Sequence, residues 1–174
     1  MVPPALPRTL LAEIGKVAVI WAHIEQELIL HASAMASQDT GGKPVEYLRM
    51  DLKRLREKWY SLCQHRFDDE ILNKIVHPLN SKLAPLSVER AHVIHGLWNV
   101  IGRGKYHLHI FEQKTGLEIK EADYSLAQLR RFVRASQRAS LELDWFTSGR
   151  NFRFQNKKRT VTKVTNTLIP IDKG

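Results

Sequence analysis

Leu10, Ile14, Val17, Trp21, Ile24 and Leu28 recur three and four positions apart, the spacing that lines one face of an α-helix. One long helix is expected over about Pro7 to Ala36, with Pro7 in the first turn, where its missing amide donor is not needed. Its apolar stripe has to be covered, and the sequence that follows offers more helices to cover it. Gly41-Gly42 breaks the pattern,. Val45, Leu48, Leu52, Leu55, Trp59 and Leu62 renew it in a second helix of about twenty residues, whose outer face holds Arg49, Lys53, Arg54, Arg56 and Lys58. Asp68-Asp69-Glu70 suits the positive end of a third, shorter helix, which Pro78 and Pro85 limit. A fourth helix begins near Pro85 or Ser87, carries Leu86, Arg90, Val93, Ile94 and Leu97, and ends around Gly96 as its C-cap,.

The period then changes. Tyr106, Leu108 and Ile110 alternate with His107, His109 and Phe111, and Lys114-Thr115-Gly116 supplies turn chemistry before Leu117-Glu118-Ile119-Lys120,. A β-hairpin over about 105–120 is expected. Ser125 precedes Leu126, Leu129, Val133 and Leu143, which share one arc of a last helix ending near Phe146,. The fold class is mainly α: a bundle of four or five helices with one hairpin inserted before the last.

A chain of 174 residues with 43% hydrophobic composition is one domain's worth of sequence and buries a core without staples. Cys63 is the only cysteine, which excludes an internal disulfide and a thiolate-rich metal site, and a reducing cytoplasm is the expected compartment. No apolar run reaches the length of a membrane span, and Met1-Val2-Pro3-Pro4 does not read as a secretory signal,. The net charge of +9 is unevenly placed. Residues 1–146 carry 20 Lys and Arg against 17 Asp and Glu, whereas residues 147–174 carry seven basic residues against Asp172 alone. The reading is a bundle domain over 1–146 followed by a basic, flexible tail over 147–174. Such a tail serves either as a polyanion-binding arm or as a solubilising end.

Two charges stand on apolar arcs. Glu25 falls within the arc of Ile14, Trp21 and Leu28, and Arg90 falls between Ile94 and Leu97,. A carboxylate in such a place is costly unless paired. A Glu25–Arg90 pair across the bundle offsets the desolvation of both, and such a pair is often neutral for stability. The other reading of Glu25 leaves its tip in water at the edge of the stripe.

Arg90 also opens the run Arg90-Ala91-His92-Val93-Ile94-His95, followed by Gly96-Leu97-Trp98. An arginine, four residues and a histidine on a late helix of a small bundle resemble the signature of the HEPN superfamily. Trp21-Ala22-His23-Ile24-Glu25 on the first helix and the trailing Gly96-Leu97-Trp98 resemble small bacterial and phage HEPN-like proteins. The resemblance covers about Leu10 to Trp98.

That resemblance implies a metal-independent endoribonuclease working as a homodimer, with no cofactor and with an antitoxin or other protein as a further partner. His95 would act as acid or base in attack of the ribose 2′-hydroxyl on the adjacent phosphorus. Arg90 would hold the phosphate, and Glu25 would orient Arg90. The residue types suit those tasks, because histidine titrates near neutrality and the guanidinium fork matches phosphate oxygens. The negative end of the helix favours an acid role for His95. Side chains five apart on an ideal helix point about 140° away from each other. The two would therefore meet through unwinding at Gly96 or across a dimer interface. The rival readings are a non-catalytic binding or dimerisation module, with Arg90 a structural ion-pair partner and His95 a helix-capping residue, and a basic nucleic-acid-binding accessory protein.

Other residues carry weaker signals. Arg130, Arg131, Arg134 and Arg138 share one arc of the last helix, a basic stripe that tracks a phosphate backbone or is simply a solvated face,. Phe152 and Phe154 interleave with Arg150, Arg153 and Lys157, which suits stacking on bases beside phosphate contacts,. His107 and His109 share one side of a strand. A catalytic zinc site normally needs three protein ligands, and no carboxylate or cysteine stands beside them at motif spacing, so a solvent-facing pair and no metal is the expectation. Cys63 reads as core. Neither a phosphate-cradling glycine loop nor a serine triad is present,.

Overall fold

The computed structural model describes residues 6–40, 44–102, 104–111 and 118–148. Thr147 and Ser148 of the expected tail end the last helix, and the rest of it, with Arg150, Arg153 and Lys157, lies outside the described residues, as does the turn at Lys114-Thr115-Gly116. The fold is mainly α. Helix α1 spans Arg8–Thr40, a 3-10 turn follows at Pro44–Arg49, α2 spans Leu52–Arg66 and α3 spans Asp69–Ile71. A π-helical segment, Leu72–Val76, leads into α4 at His77–His95; strands β1 (Leu97–Gly102), β2 (Lys105–Phe111) and β3 (Glu118–Ser125) precede α5 at Leu126–Thr147. Among the described residues no helix is long and apolar enough to cross a membrane.

The long first helix and the last helix form where the periodicity places them. Leu10, Val17, Trp21, Ile24 and Leu28 are buried, as are Leu129, Val133, Leu143 and Phe146 on α5. Ser125 starts α5 by accepting the amide of Gln128 at 3.2 Å while the Gln128 side chain reaches back to the Ser125 amide at 2.7 Å, a reciprocal cap that satisfies two otherwise unpaired donors. The two helices pack on each other and are pinned by the Trp21 indole, which donates to Ser136 Oγ at 3.1 Å in the buried interface.

The second helix is shorter than its periodicity suggests. Asp51 caps α2 by accepting the amide of Arg54 at 2.9 Å, so the chain turns through Pro44–Arg49 and starts afresh. Arg56 does not sit on an outer face. Only 13% of its side chain is exposed, and it donates to Asn80 Oδ1 of α4 at 2.7 Å.

The prolines do not divide the third and fourth helices. Backbone angles stay helical from Ile71 through His77, so Asp69 to His95 runs on as one rod. Pro78 falls in the first turn after the π segment, whose wider i→i+5 bonding changes which carbonyls need an amide there,. Pro85 lies inside α4 on its exposed side. The Ser81 carbonyl that loses its partner belongs to a residue that is itself exposed,.

Leu97 to Gly102 leave the helix and form a strand. The expected hairpin is thus two strands of an antiparallel three-stranded sheet in the order β1-β2-β3. Trp98 fixes the switch: its ring is buried, meets Tyr106 and Tyr124 edge-on, and its N–H donates to Val93 O at 3.0 Å. Gly96 caps α4 in an extended conformation, φ −76°, rather than a left-handed one. Glycine is required there by crowding, because a Cβ would lie 2.3 Å from Leu108 Cδ1 and 2.7 Å from the His92 carbonyl. The tight turn from β1 to β2 uses Gly104 at φ 72°, a conformation that costs other residues more.

Cys63 is a buried core residue, and burial pushes its thiol up out of the reactive range,. His31 is also in the core, only 5% exposed. Its Nδ1 accepts the Trp59 indole N–H at 2.9 Å, and its ring packs on Phe67 and edge-on to Phe146. Burial pushes this imidazole down to about 4, so it is neutral at physiological pH,.

Candidate functional site

Glu25 and Arg90 meet. Arg90 Nη2 donates to Glu25 Oε1 at 2.9 Å, joining the middle of α1 to the last third of α4. The pair sits at the rim of the core, with 24% of the Arg90 side chain and 33% of Glu25 exposed. Glu25 therefore reaches the edge of its apolar stripe and finds a cation there, while Trp21, Ile24 and Leu28 beside it are buried. Arg90 Nε is buried without a hydrogen-bond partner among the described residues, so any donor capacity open to solvent lies at the outer part of the guanidinium, in the exposed quarter of the side chain. Next to it, Glu89 accepts a hydrogen bond from the Tyr124 hydroxyl of β3, which ties the sheet to the same turn of α4.

His95 is placed differently. It is the last residue of α4 and exposed. Among the described residues no hydrogen bond or ion pair connects it to Arg90. The helix stays regular through His95, with the Gly96 amide bonded to His92 O at 2.9 Å, so the about 140° divergence expected for a five-residue separation holds. Within one chain, then, Glu25 and Arg90 are brought together and His95 is not.

The α5 arginines form the expected exposed stripe. Arg130, Arg131, Arg134 and Arg138 are all exposed opposite buried Leu129, Val133 and Leu143. Arg130 is partly engaged, its Nε lying 3.4 Å from Glu13 Oε1. Burial opposes ionisation of Glu13, but Lys16 at 3.0 Å and Arg130 outweigh it and hold that carboxyl below the usual range. Arg134 and Arg138 have no ion-pair partner among the described residues, which leaves their charge available to solvent or to a polyanion.

One group is richer than its sequence spacing suggests. His107 and His109 share the outer face of β2, and in the β2–β3 register they stand opposite Asp123 and Glu121. His107 Nδ1 lies 2.7 Å from Asp123 Oδ1, and Glu121 stands 3.4 Å from His107 Nε2 and 3.6 Å from His109 Nδ1. The Asp123 hydrogen bond is the main influence on His107 and raises it above the ordinary imidazole range; partial burial opposes this, and the Glu121 and Asp123 charges reinforce it. The carboxylates missing at motif spacing come from the neighbouring strand. Strand register, unlike sequence separation, was the signal that finds them.

Comparison with protein-family models, curated proteins and solved structures gives no match.

Proposed function

We propose that this chain is a HEPN-like protein that cleaves RNA without a metal ion, acting as a homodimer. The observation that carries the proposal is the Arg90 guanidinium held by Glu25 at 2.9 Å on the helix whose exposed end is His95. Fixed by Glu25, Arg90 offers its remaining donors to a phosphate, and arginine's rigid fork suits that contact. His95, which has no side-chain partner among the described residues, serves as the proton-transfer group. In the reaction the 2′-oxygen bonds to the adjacent phosphorus as its proton is taken up, the bond from phosphorus to the 5′-oxygen breaks, and that oxygen receives a proton. Cyclic phosphate and 5′-hydroxyl ends result. Because Arg90 and His95 diverge on one helix, the working site draws on two copies of the chain. Arg134 and Arg138 supply sequence-independent backbone contacts.

A second reading rests on the same ion pair. Arg90 already has a carboxylate partner, as a structural residue would, and a non-catalytic binding or dimerisation module needs nothing from His95. The deciding experiment incubates purified protein with mixed RNA in excess chelator, beside His95→Ala and Arg90→Ala. Cleavage by the wild type and loss in His95→Ala at unchanged melting temperature supports the nuclease. Absence of cleavage by all three, with Arg90→Ala alone less stable, supports the module. That loss should be about 1–3 kcal/mol, below the value for a fully buried pair, because water reaches both side chains.

A further inference from the structure

The outer face of the sheet gathers two imidazoles and two carboxylates. Tyr106, Leu108 and Ile110 turn inward and are buried, so alternation places His107 and His109 together on the opposite side, with ring centroids 4.6 Å apart,. Antiparallel pairing sets Asp123 directly across from His107 and Glu121 directly across from His109,. The four groups are fixed by a hydrogen-bonded ladder rather than by loops. An ionised carboxylate only accepts, so His107 Nδ1 donates to Asp123 and its Nε2 is the nitrogen that faces Glu121,.

We propose that His107, His109 and Glu121 bind a divalent cation of borderline softness, Zn²⁺ foremost, and that Asp123 positions His107 for it. Two nitrogens and one carboxylate oxygen are a known type of zinc ligand set, and bonds of about 2.0–2.2 Å in a tetrahedron put ligand atoms about 3.3–3.6 Å from one another. The Glu121 oxygens already lie 3.4 Å from His107 Nε2 and 3.6 Å from His109 Nδ1. One ligand atom from each of the three residues falls within 4.8 Å of the others, so small side-chain rotations close the site. The Asp123–His107 hydrogen bond is the carboxylate–histidine arrangement that fixes the tautomer and raises the basicity of a metal-bound imidazole. Three protein ligands leave one position for water or an incoming donor, on the solvent side of the sheet. A second grouping, His23, Glu27 and Asp144, is a weaker candidate. It has one imidazole, already 3.0 Å from Asp144, and Glu27 accepts from the Thr147 hydroxyl at 2.7 Å. It serves as an internal control.

The zinc proposal does not rest on the RNA reading. To test it, full-length protein without a histidine tag is stripped with chelator, dialysed, and titrated with Zn²⁺ by calorimetry and with Co²⁺ by visible absorption. The expected result is one equivalent bound at micromolar or tighter affinity, with the intense visible bands of low-coordinate Co²⁺. His107→Ala, His109→Ala and Glu121→Gln should each remove that equivalent, and Asp123→Asn should weaken it by about 10–100-fold. His23→Ala should leave it unchanged. Zn²⁺ should also raise the melting temperature of the wild type but not of Glu121→Gln, because a ligand that binds only the folded state stabilises it. Circular dichroism confirms that each variant is folded, and any one folded ligand variant suffices for the comparison. No saturable binding by the wild type, or binding that survives in the folded ligand variants, overturns the proposal.

Discussion

The imidazole of His31 on α1 accepts the indole N–H of Trp59 on α2 at 2.9 Å, and both rings pack against Phe146 of α5. Three helices therefore converge on one neutral histidine. Its folded pKa is lowered to about 4, whereas in the unfolded chain it titrates near 6.5. Between those values the unfolded state holds more protons, so stability rises with pH, and it is lost as pH falls through that window. The full difference is about 3 kcal/mol. Urea unfolding at a series of pH values between 7 and 5 should show this decline, and His31→Gln, which keeps an acceptor for Trp59 but does not titrate, should flatten it. An equally steep slope in that variant would assign the pH dependence to other groups.

At the junction of α4 and the sheet, Gly96→Ala should destabilise the protein by about 1–3 kcal/mol, the usual cost of forcing extra atoms into a packed region. Leu108 Cδ1 can move aside, but the His92 carbonyl at 2.7 Å and the His109 carbonyl at 3.1 Å from the new Cβ are backbone. The midpoint of urea denaturation reads the effect. A midpoint equal to that of wild type would mean that helix and strand can part here at no cost.

Much of the architecture is written in local pattern, and what escapes the pattern does so for identifiable reasons. Glu25 and Arg90 are legible as a pair because each is a charge misplaced on an apolar arc; Glu13, which is more deeply buried on α1, is not singled out. Ser125 announces α5 because its cap acts within four residues. The start at Asp51 is invisible to periodicity, since Leu48, Leu52 and Leu55 continue the spacing across it. Pro78 and Pro85 look like helix ends because their cost is local, while the packing of Leu79, Leu83 and Val93 that outweighs it is not,. Leu97 to Ile101 carry no alternation that announces a strand, and its place in the sheet shows only once Trp98 is seen bonded to Val93 and packed on Tyr106. Glu121 lies twelve residues beyond His109 in the chain and directly opposite it in the sheet.

The α5 stripe gives a salt-dependent expectation. If Arg134 and Arg138 contact an RNA backbone, the double variant Arg134→Gln/Arg138→Gln should bind single-stranded RNA more weakly. Its slope of log affinity against log salt should be shallower by about 1.4, two contacts at about 0.7 each. Fluorescence anisotropy across a salt series measures both quantities. An unchanged slope would place the RNA path elsewhere on the surface.

The buried bond from Trp21 to Ser136 spans 115 positions of sequence. Residues of α1 are thus synthesised well before the α5 partner that completes the cover of their stripe. During synthesis at about 5–20 residues per second, Trp21 waits several seconds for its Ser136 partner,. Contacts of such long range also slow folding, because the loop between them must be closed before they stabilise anything. Loss of α5 removes the Ser136 partner of Trp21 and part of the cover over α1, so nascent chains and chains shortened before α5 are the forms of this protein most exposed to chaperones and to aggregation.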